Sequence, residues 1–439
     1  MNNSYTFACG QGATKAMIHC IEDGTLLKED CCIVNSTQKD IPYEYRNGSI
    51  STIIINPDPN AGCGKDRGYA KSLMLNYLRN NPNVISSMLP EGKYQYVNII
   101  ATTEGASGSG ASVILAKFIK SAIPKHLRVP VVITLITGFE TDTRGLQNTI
   151  EYFKDLNGGD FVIRTVSNKK YLDKTNNTFT AEKMANEDIS KSFKIISAFD
   201  VVDSEQNIDD EDHYKLITNP GMMFVTEVEI DKRLKNSSQF EQIVSDAIDY
   251  NTSLDFEPSA TKIGVYMNIS DDNLSVVDTN FTAIKKKLCG NTDIEEFFIH
   301  RQYVAAQPEF VRIIASGINL PKDELNDIYN KYQNRKEIEK QDDFFDSISG
   351  MVTESNSRHS EENDIDDSNT NDFFANFEGE VSHGSGRRKS SSASTRFSSN
   401  NTVKTTDVSG GYEKKKNSFT AKKSSNEVKP YSEDSIKGF

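Results

Sequence analysis

The chain has 439 residues, of which 36% are hydrophobic and 26% charged, and a formal net charge of −13. Its length points to two or three domains, or two and a tail, and its low hydrophobic share to a part that does not fold. No apolar run approaches the roughly 18 residues of a membrane span, and MNNSYTFACGQ at the N-terminus shows no signal peptide, so no membrane partner is expected.

Tyr5–Cys9 reads as a short apolar strand ending at Gly10, followed by a helix over Ala13–Ile21. Cys31–Asn35 and Ile53–Ile55 read as strands, Tyr69–Arg79 as a helix and Val97–Thr102 as a buried strand. A helix over Ala111–Ser121, a strand over Val129–Ile136, a helix over Leu146–Leu156 and a strand over Phe161–Val166 follow. Short strands separated by helices predict an α/β fold with a parallel sheet covered on both faces. From about residue 220 the pattern changes. Met222–Ile230, Thr261–Ile269, Glu295–Val304 and Val311–Ser316 read as strands with few helices between them, so a second, α+β domain is expected. The charged amphipathic stretch Leu320–Lys340 is expected to close it as a helix.

Charge divides the remainder. Residues 341–382 hold twelve Asp and Glu against one Arg, and residues 383–439 hold twelve Lys and Arg against five Asp and Glu. The body is therefore acidic, followed by an acidic linker and a basic end. Stretches such as SSSASTRFSSNN bury too little apolar surface to offset about 1–2 kcal/mol of backbone entropy per residue, so a disordered tail is expected from about residue 346. Phe373, Phe374 and Phe377 are three aromatics in an acidic setting within it, either a short docking motif or a functionless sticky patch.

Six cysteines without a C-x-x-C pair and six scattered histidines without H-E-x-x-H read as reduced cytosolic thiols, neither a disulfide frame nor a zinc site. The informative polar clusters lie elsewhere, at the carboxyl ends of the expected strands, where such sheets bind ligands. Gly10-Gln11-Gly12-Ala-Thr14 follows the first strand, Asn35-Ser-Thr-Gln-Lys-Asp40 the second and Ala61-Gly-Cys-Gly64-Lys-Asp-Arg67 the third. Glu104-Gly105-Ala106-Ser107-Gly108-Ser109-Gly110 opens the helix after the fourth. Small residues let backbone N–H groups approach phosphate oxygens, and the helix N-terminus adds partial positive charge. Four such loops on one rim point to a phosphate-bearing ligand. No G-x-x-x-x-G-K-[ST] is present, which excludes a P-loop, and lysine replaces the third glycine of a dinucleotide fingerprint after Gly12. An NAD(P)-linked oxidoreductase rests on Gly10-Gln-Gly12 alone.

Residues Glu104–Gly110 resemble the tubulin/FtsZ signature GGGTG[ST]G at four of its seven positions. Other elements agree in order over about residues 5–335. Gly10-Gln-Gly12 looks like the first glycine-rich loop of that superfamily. Val34-Asn-Ser-Thr-Gln-Lys-Asp40 and Gly62-Cys-Gly-Lys-Asp-Arg67 look like loops of the plasmid- and phage-borne TubZ proteins. Val166-Ser-Asn168 falls where a later loop presents an asparagine, and Ala185-Asn186-Glu-Asp-Ile189 resembles the start of the central helix, where an asparagine reads the guanine edge. The resemblance implies a GTP-binding domain over 1–180, a central helix over 181–200, a synergy loop and α+β domain over 201–345, and the tail over 346–439. It implies GTP or GDP with Mg²⁺ as cofactors. One departure stands out: Glu104 replaces a glycine near the expected terminal phosphates, where a carboxylate repels phosphate unless a cation intervenes or it turns outward.

In that superfamily the stretch after the central helix reaches the nucleotide of the next subunit. Asp209 and Asp212 match its D-x-x-[DE] spacing, and at i and i+3 on a helical turn they would share one side. Paired carboxylates there would orient the water that attacks a metal-neutralised phosphate. Hydrolysis then depends on assembly, and a heterologous contact that does not close makes a filament. The resemblance thus implies a cytoplasmic bacterial GTPase, its own partner in a head-to-tail filament. Its basic tail, residues 383–439 with Arg387-Arg-Lys389, Lys414-Lys-Lys416 and Lys422-Lys423, would engage DNA or a DNA-bound adaptor protein. The alternatives are a filament that positions phage particles or acts in division, and a non-polymerising regulator in which Glu104 has ended catalysis.

Overall fold

The computed structural model describes residues 4–349, apart from 158–159, 198–200, 203–206, 231–232 and 278–279, and side chains to residue 340. The tail, with its acidic aromatics and basic clusters, lies outside the described residues.

The first half alternates as expected. In chain order it runs β1 (Ser4–Cys9), α1 (Gln11–Glu22), β2 (Cys31–Asn35), β3 (Ser51–Ile54), α2 (Arg67–Asn80), α3 (Val84–Met88), β4 (Tyr96–Thr102), α4 (Ser112–Ser121), β5 (Val131–Thr137), α5 (Thr143–Leu156) and β6 (Val162–Ser167). Two helices follow directly, α6 (Asn168–Thr175) and the long α7 (Thr178–Ile196). The second half comprises α8 (Asp210–Ile217), β7 (Gly221–Glu229), α9 (Ser237–Asp249), β8 (Lys262–Asn268), α10 (Asp271–Leu274), α11 (Thr282–Cys289), β9 (Glu296–Gln302), β10 (Phe310–Ile318) and α12 (Lys322–Ser349). The expectation of few helices between the later strands is corrected here. Phe240, Val244 and Ile248 of α9, and Ile284 and Leu288 of α11, are buried one turn apart, the stripe that makes an amphipathic helix fold onto a sheet.

The ten strands of the described residues form one sheet in the order β3-β2-β1-β4-β5-β6-β7-β10-β8-β9. Strands β1 to β6 are parallel throughout. The second half joins edge to edge, because β7 pairs with β6 in parallel through Val162↔Gly221 and Ile163↔Met222. It then turns antiparallel at β7–β10 and β10–β8 and parallel again at β8–β9.

Burial on both faces explains why the first strands are continuous apolar runs rather than alternating ones. One face presents Phe7, Val34, Ile99, Ile133 and Leu135 to a core with Met74 and Leu78 of α2, Phe118 of α4 and Tyr152 and Leu156 of α5. The other presents Ala8, Ile33, Ile100, Ile136 and Val166 to Met17 of α1, Tyr171 of α6, and Ala185, Ile189 and Phe193 of α7. The far end of α7 inserts Ile195 and Ile196 among Leu216, Ile217, Met223, Val225 and Ile314. A single helix therefore runs from the first strands' territory to the second half of the sheet. All six cysteines are buried and unpaired, and among the described residues no helix is long and apolar enough to cross a membrane.

Candidate functional site

The order β3-β2-β1-β4-β5-β6 reverses direction between β1 and β4, and open parallel sheets take their ligands at such a switch point. A cavity of about 630 Å³ opens there. The loops that follow all six strands line it: Gly10–Gly12, Asn35–Thr37, Gly62–Lys65, Glu104–Gly108, Gly138 with Phe139, and Asn168. Helix α7 adds Glu182 and Asn186, one turn apart.

Two of these loops interlock, and glycine is what permits it. Gly10 has φ 84°, and a Cβ on it would lie 2.9 Å from the Gly108 backbone nitrogen. Gly108 itself has no room for a side chain, since a Cβ would lie 2.3 Å from Thr102 Oγ1. Helix α1 begins at Gln11, directly after Gly10. Ser107–Ala111 form a π-helical turn that runs straight into α4. Two helix starts therefore border the cavity, each with first-turn N–H groups outside the intrahelical ladder and partial positive charge, the arrangement that binds phosphate. Ser107 Oγ donates to Ser36 Oγ at 2.9 Å, which ties the β4 loop to the β2 loop. Asn148 of α5 ties it to the β3 loop, donating from Nδ2 to the carbonyls of Lys65 at 3.1 Å and Glu104 at 3.0 Å.

Three lysines and three carboxylates line the cavity. Lys15 pairs with Glu182 at 3.1 Å across the α1–α7 side. Lys65 Nζ lies 2.6 Å from Asp142, the residue that caps α5. Burial acts to raise the Asp142 carboxyl, but the Lys65 hydrogen bond and the Gly145 N–H outweigh it and hold it below its usual range. Lys39 has no ion-pair partner among the described residues. Burial raises the Asp40 carboxyl, with the Asn35 amide acting in the opposite sense. Burial also raises the Glu104 carboxyl. Its side chain borders the cavity but is held on the protein: it lies against Gly138 and Gly145 and accepts the Glu140 N–H at 2.7 Å. On the α6 side of the cavity, Asn168 Oδ1 is a buried acceptor with no hydrogen-bond partner. An unmatched buried acceptor on a cavity wall fits a ligand that donates N–H groups.

Of the residues singled out from sequence, Gly10, Gln11, Gly12, Asn35, Gly64, Gly105, Ala106, Ser107, Gly108, Asn168 and Asn186 line this one cavity. Ser109 and Gly110 lie beneath it, inside the π-helical turn, and a Cβ on Gly110 would lie 2.6 Å from the Arg67 carbonyl oxygen. Asp209 and Asp212 lie outside it, on α8, which packs on β8 and β10. Asp209 is the N-cap of that helix and its Oδ1 accepts the Asp212 N–H at 2.8 Å, so the two carboxylates do not simply share a helix face. Sequence reasoning missed Lys15, Lys39, Lys65, Asp142 and Asn148. Lys39 and Lys65 sat inside quoted loops, whereas Asn148 carried no local signal at all.

The donor set bears on a metal ion. Among the described residues no group of three or more His, Cys, Asp or Glu is placed to hold one, so there is no all-protein cage. Of the three carboxylates on the wall, Glu182 is paired with Lys15 and Glu104 is held by the Glu140 N–H; the remaining one, Asp40, fits Mg²⁺ bound chiefly by phosphate oxygens and water, the usual manner of that ion.

No protein-family model matches the chain, and no curated protein matches it either. Solved structures do. The chain is similar to TubZ of Clostridium botulinum phage c-st, at 16% identity and a TM-score of 0.58, over 77% of this chain and 99% of that one. It is similar to a GTPγS-form protofilament of Bacillus thuringiensis serovar israelensis TubZ, at 14% identity and a TM-score of 0.62, over 77% and 94%. It is also similar to a GTPγS-bound protofilament of CetZ2 from Haloferax volcanii, at 15% identity and a TM-score of 0.58, over 76% and 99%. The chain has the fold of the tubulin/FtsZ superfamily.

Proposed function

We propose that this chain is a tubulin-like GTPase that assembles head to tail into filaments and cleaves GTP at the contacts between subunits. The observation that carries the reading is the division of the machinery. Phosphate-type loops and the unmatched Asn168 acceptor converge on one cavity, while Asp209 and Asp212 stand on α8 outside it. Acids so placed serve a nucleotide only if it belongs to another subunit. That solved structures of the same fold are protofilaments with a GTP analogue supports this arrangement.

In the proposed site the first turns of α1 and α4 hold the phosphates and Lys65 and Lys39 add charge. Asn168 and Asn186 face the guanine edge, where an amide matches the donor and acceptor pattern of that base. Mg²⁺, when bound with the nucleotide, supplies charge neutralisation at the terminal phosphates. Asp209 and Asp212 of the adjoining subunit orient the attacking water. Glu104, held on Gly138, Gly145 and the Glu140 N–H, gives no ground for a site that has lost its activity.

The cargo reading rests on charge. The basic segment 383–439 is proposed to link the filament, in a bacterial cytoplasm, to plasmid or phage DNA, directly or through a DNA-bound adaptor. The reaction reading is tested by GTP turnover per molecule against protein concentration. Turnover should rise steeply above a threshold at which light scattering also rises. Equal turnover per molecule in dilute and concentrated samples would overturn it.

A further inference from the structure

Glu104 and Glu140 belong to a chain of contacts that the nucleotide reading leaves without a role. Glu104 opens the glycine loop of the cavity, and its side chain runs so close over Gly138 that a Cβ there would lie 1.9 Å from its Cδ. A Cβ on Gly145 would lie 3.0 Å from the same atom. The carboxylate ends on the N–H of Glu140, at 2.7 Å from Oε1. Glu140 has φ 58°, a left-handed conformation that residues with a side chain resist. Helix α12 grips it from the opposite side: Arg335 Nη2 donates to its carbonyl at 2.7 Å, and Lys331 Nζ pairs with its Oε2 at 2.8 Å. The helix is fixed to the same region again where Thr143 Oγ1 donates to Glu339 Oε1 at 2.5 Å.

A strained residue persists only where its surroundings over-determine it. The holders of Glu140 come from two places far apart in the chain, the cavity loop and α12. When either lets go, Glu140 relaxes and the other grip weakens. An anionic group bound on the N–H groups of Gly105–Gly108 sets negative charge beside a desolvated carboxylate, and the repulsion works against the Glu104 grip.

We propose that Glu104 is a positioning residue that couples the phosphate end of the cavity to helix α12 through Glu140, so that an anionic ligand in the cavity loosens α12. That helix leads into the charged segment from residue 350 onward, so the coupling runs toward the part of the chain that carries the partner charges. Only the ligand arm of this inference rests on the nucleotide reading.

Hydrogen exchange read by mass spectrometry on the full chain tests it, first without ligand. Glu104→Ala should speed exchange in peptides covering 322–340 by about threefold or more, and Arg335→Ala should do the same in peptides covering 104–110. Glu104→Gln keeps an acceptor oxygen and should leave α12 at the wild-type rate. If Glu104→Ala folds with a normal thermal transition and peptides 322–340 exchange as in wild type, the coupling is wrong. If Glu104→Ala does not fold, Arg335→Ala decides, and unchanged exchange at 104–110 overturns the coupling. In the second arm, millimolar GTP should speed exchange of 322–340 in wild type but not in Glu104→Gln. GTP that binds, by fluorescence of a labelled analogue, yet leaves 322–340 unchanged also overturns the coupling. GTP that does not bind overturns the nucleotide reading instead, and the ligand-free arm then decides whether the coupling exists.

Discussion

The Asn148 side-chain amide donates to the carbonyl of Glu104 at 3.0 Å, and the same nitrogen reaches the Lys65 carbonyl at 3.1 Å. One side chain on α5 thus pins two cavity loops that lie 39 residues apart in sequence. Asn148 is 1% exposed, so water cannot replace it without rearrangement. Asn148→Ala removes the donor from the Glu104 carbonyl and leaves the Lys65 carbonyl with Arg144 Nε at 3.3 Å; it should cost about 1–3 kcal/mol, seen as a lower urea midpoint, and should also weaken GTP binding. A variant with normal affinity would show that the loops hold their shape without this bridge.

Asn168 offers a test of base recognition. Its Oδ1 is buried and unmatched, so a guanine N–H donor should complete it. Asn168→Leu should reduce the preference for GTP over ATP by about tenfold or more, because a site built to hydrogen-bond a group discriminates strongly against ligands lacking it. Competition between the two nucleotides for a labelled analogue measures the ratio. An unaltered ratio would remove Asn168 from the base site.

Asp209 has a local task that must be separated from the proposed chemistry, because it caps α8. Asparagine caps as well as aspartate, whereas alanine costs about 1 kcal/mol. Asp209→Asn should therefore keep wild-type thermal stability and still assemble, yet hydrolyse GTP slowly. Asp209→Ala should be both less stable and slow. Wild-type turnover by Asp209→Asn would leave the residue with a cap and nothing more.

Beneath the glycine loop, Asp155 of α5 bonds Arg67 and lies 2.8 Å from Lys71, both on α2. Burial acts to raise the Asp155 carboxyl, but the charges of Arg67 and Lys71 prevail and hold it below its usual range. The folded chain therefore binds this proton less tightly than the unfolded chain does. Its stabilisation is fully present above the ordinary carboxylate range, near pH 4, and is lost as pH falls through the folded value. Asp155→Asn leaves the Arg67 charge, at 4% side-chain exposure, with Glu151 at 3.7 Å as its remaining ion-pair partner among the described residues. It should cost about 3 kcal/mol at pH 7. The gap from wild type should narrow in urea titrations at pH 3, and a gap independent of pH would mean that the pair is not the source.

Truncation after Ser349 removes most of the acidic segment and all of the basic one and keeps every described element. Filaments should still pellet with GTP, while co-pelleting of DNA or of a DNA-bound adaptor should be lost. Undiminished co-pelleting would place the cargo contact on the folded body.

The parallel half of the fold was legible because most strands there are rich in apolar residues and end in small polar ones. Val97–Thr102 and Cys31–Asn35 needed no context beyond their own composition. Helix α6 was not legible, since only Tyr171 within it is buried and its pattern gives no stripe. Helix α9 carried a readable stripe in Phe240, Val244 and Ile248, with the capping residue Asn236 before it, but the neighbouring strands drew the reading toward a helix-poor domain.

Chain chemistry alone set out which loops are rich in glycine and that they follow strands, because backbone freedom and apolar runs are local properties. The direction of Glu104, the two hydrogen bonds from Asn148, the Lys65–Asp142 pair and the edge-to-edge pairing of β6 with β7 were decided only by tertiary structure. Each joins residues tens of positions apart, and which partner a polar group meets depends on how the covering helices pack, a quantity that no window of sequence contains.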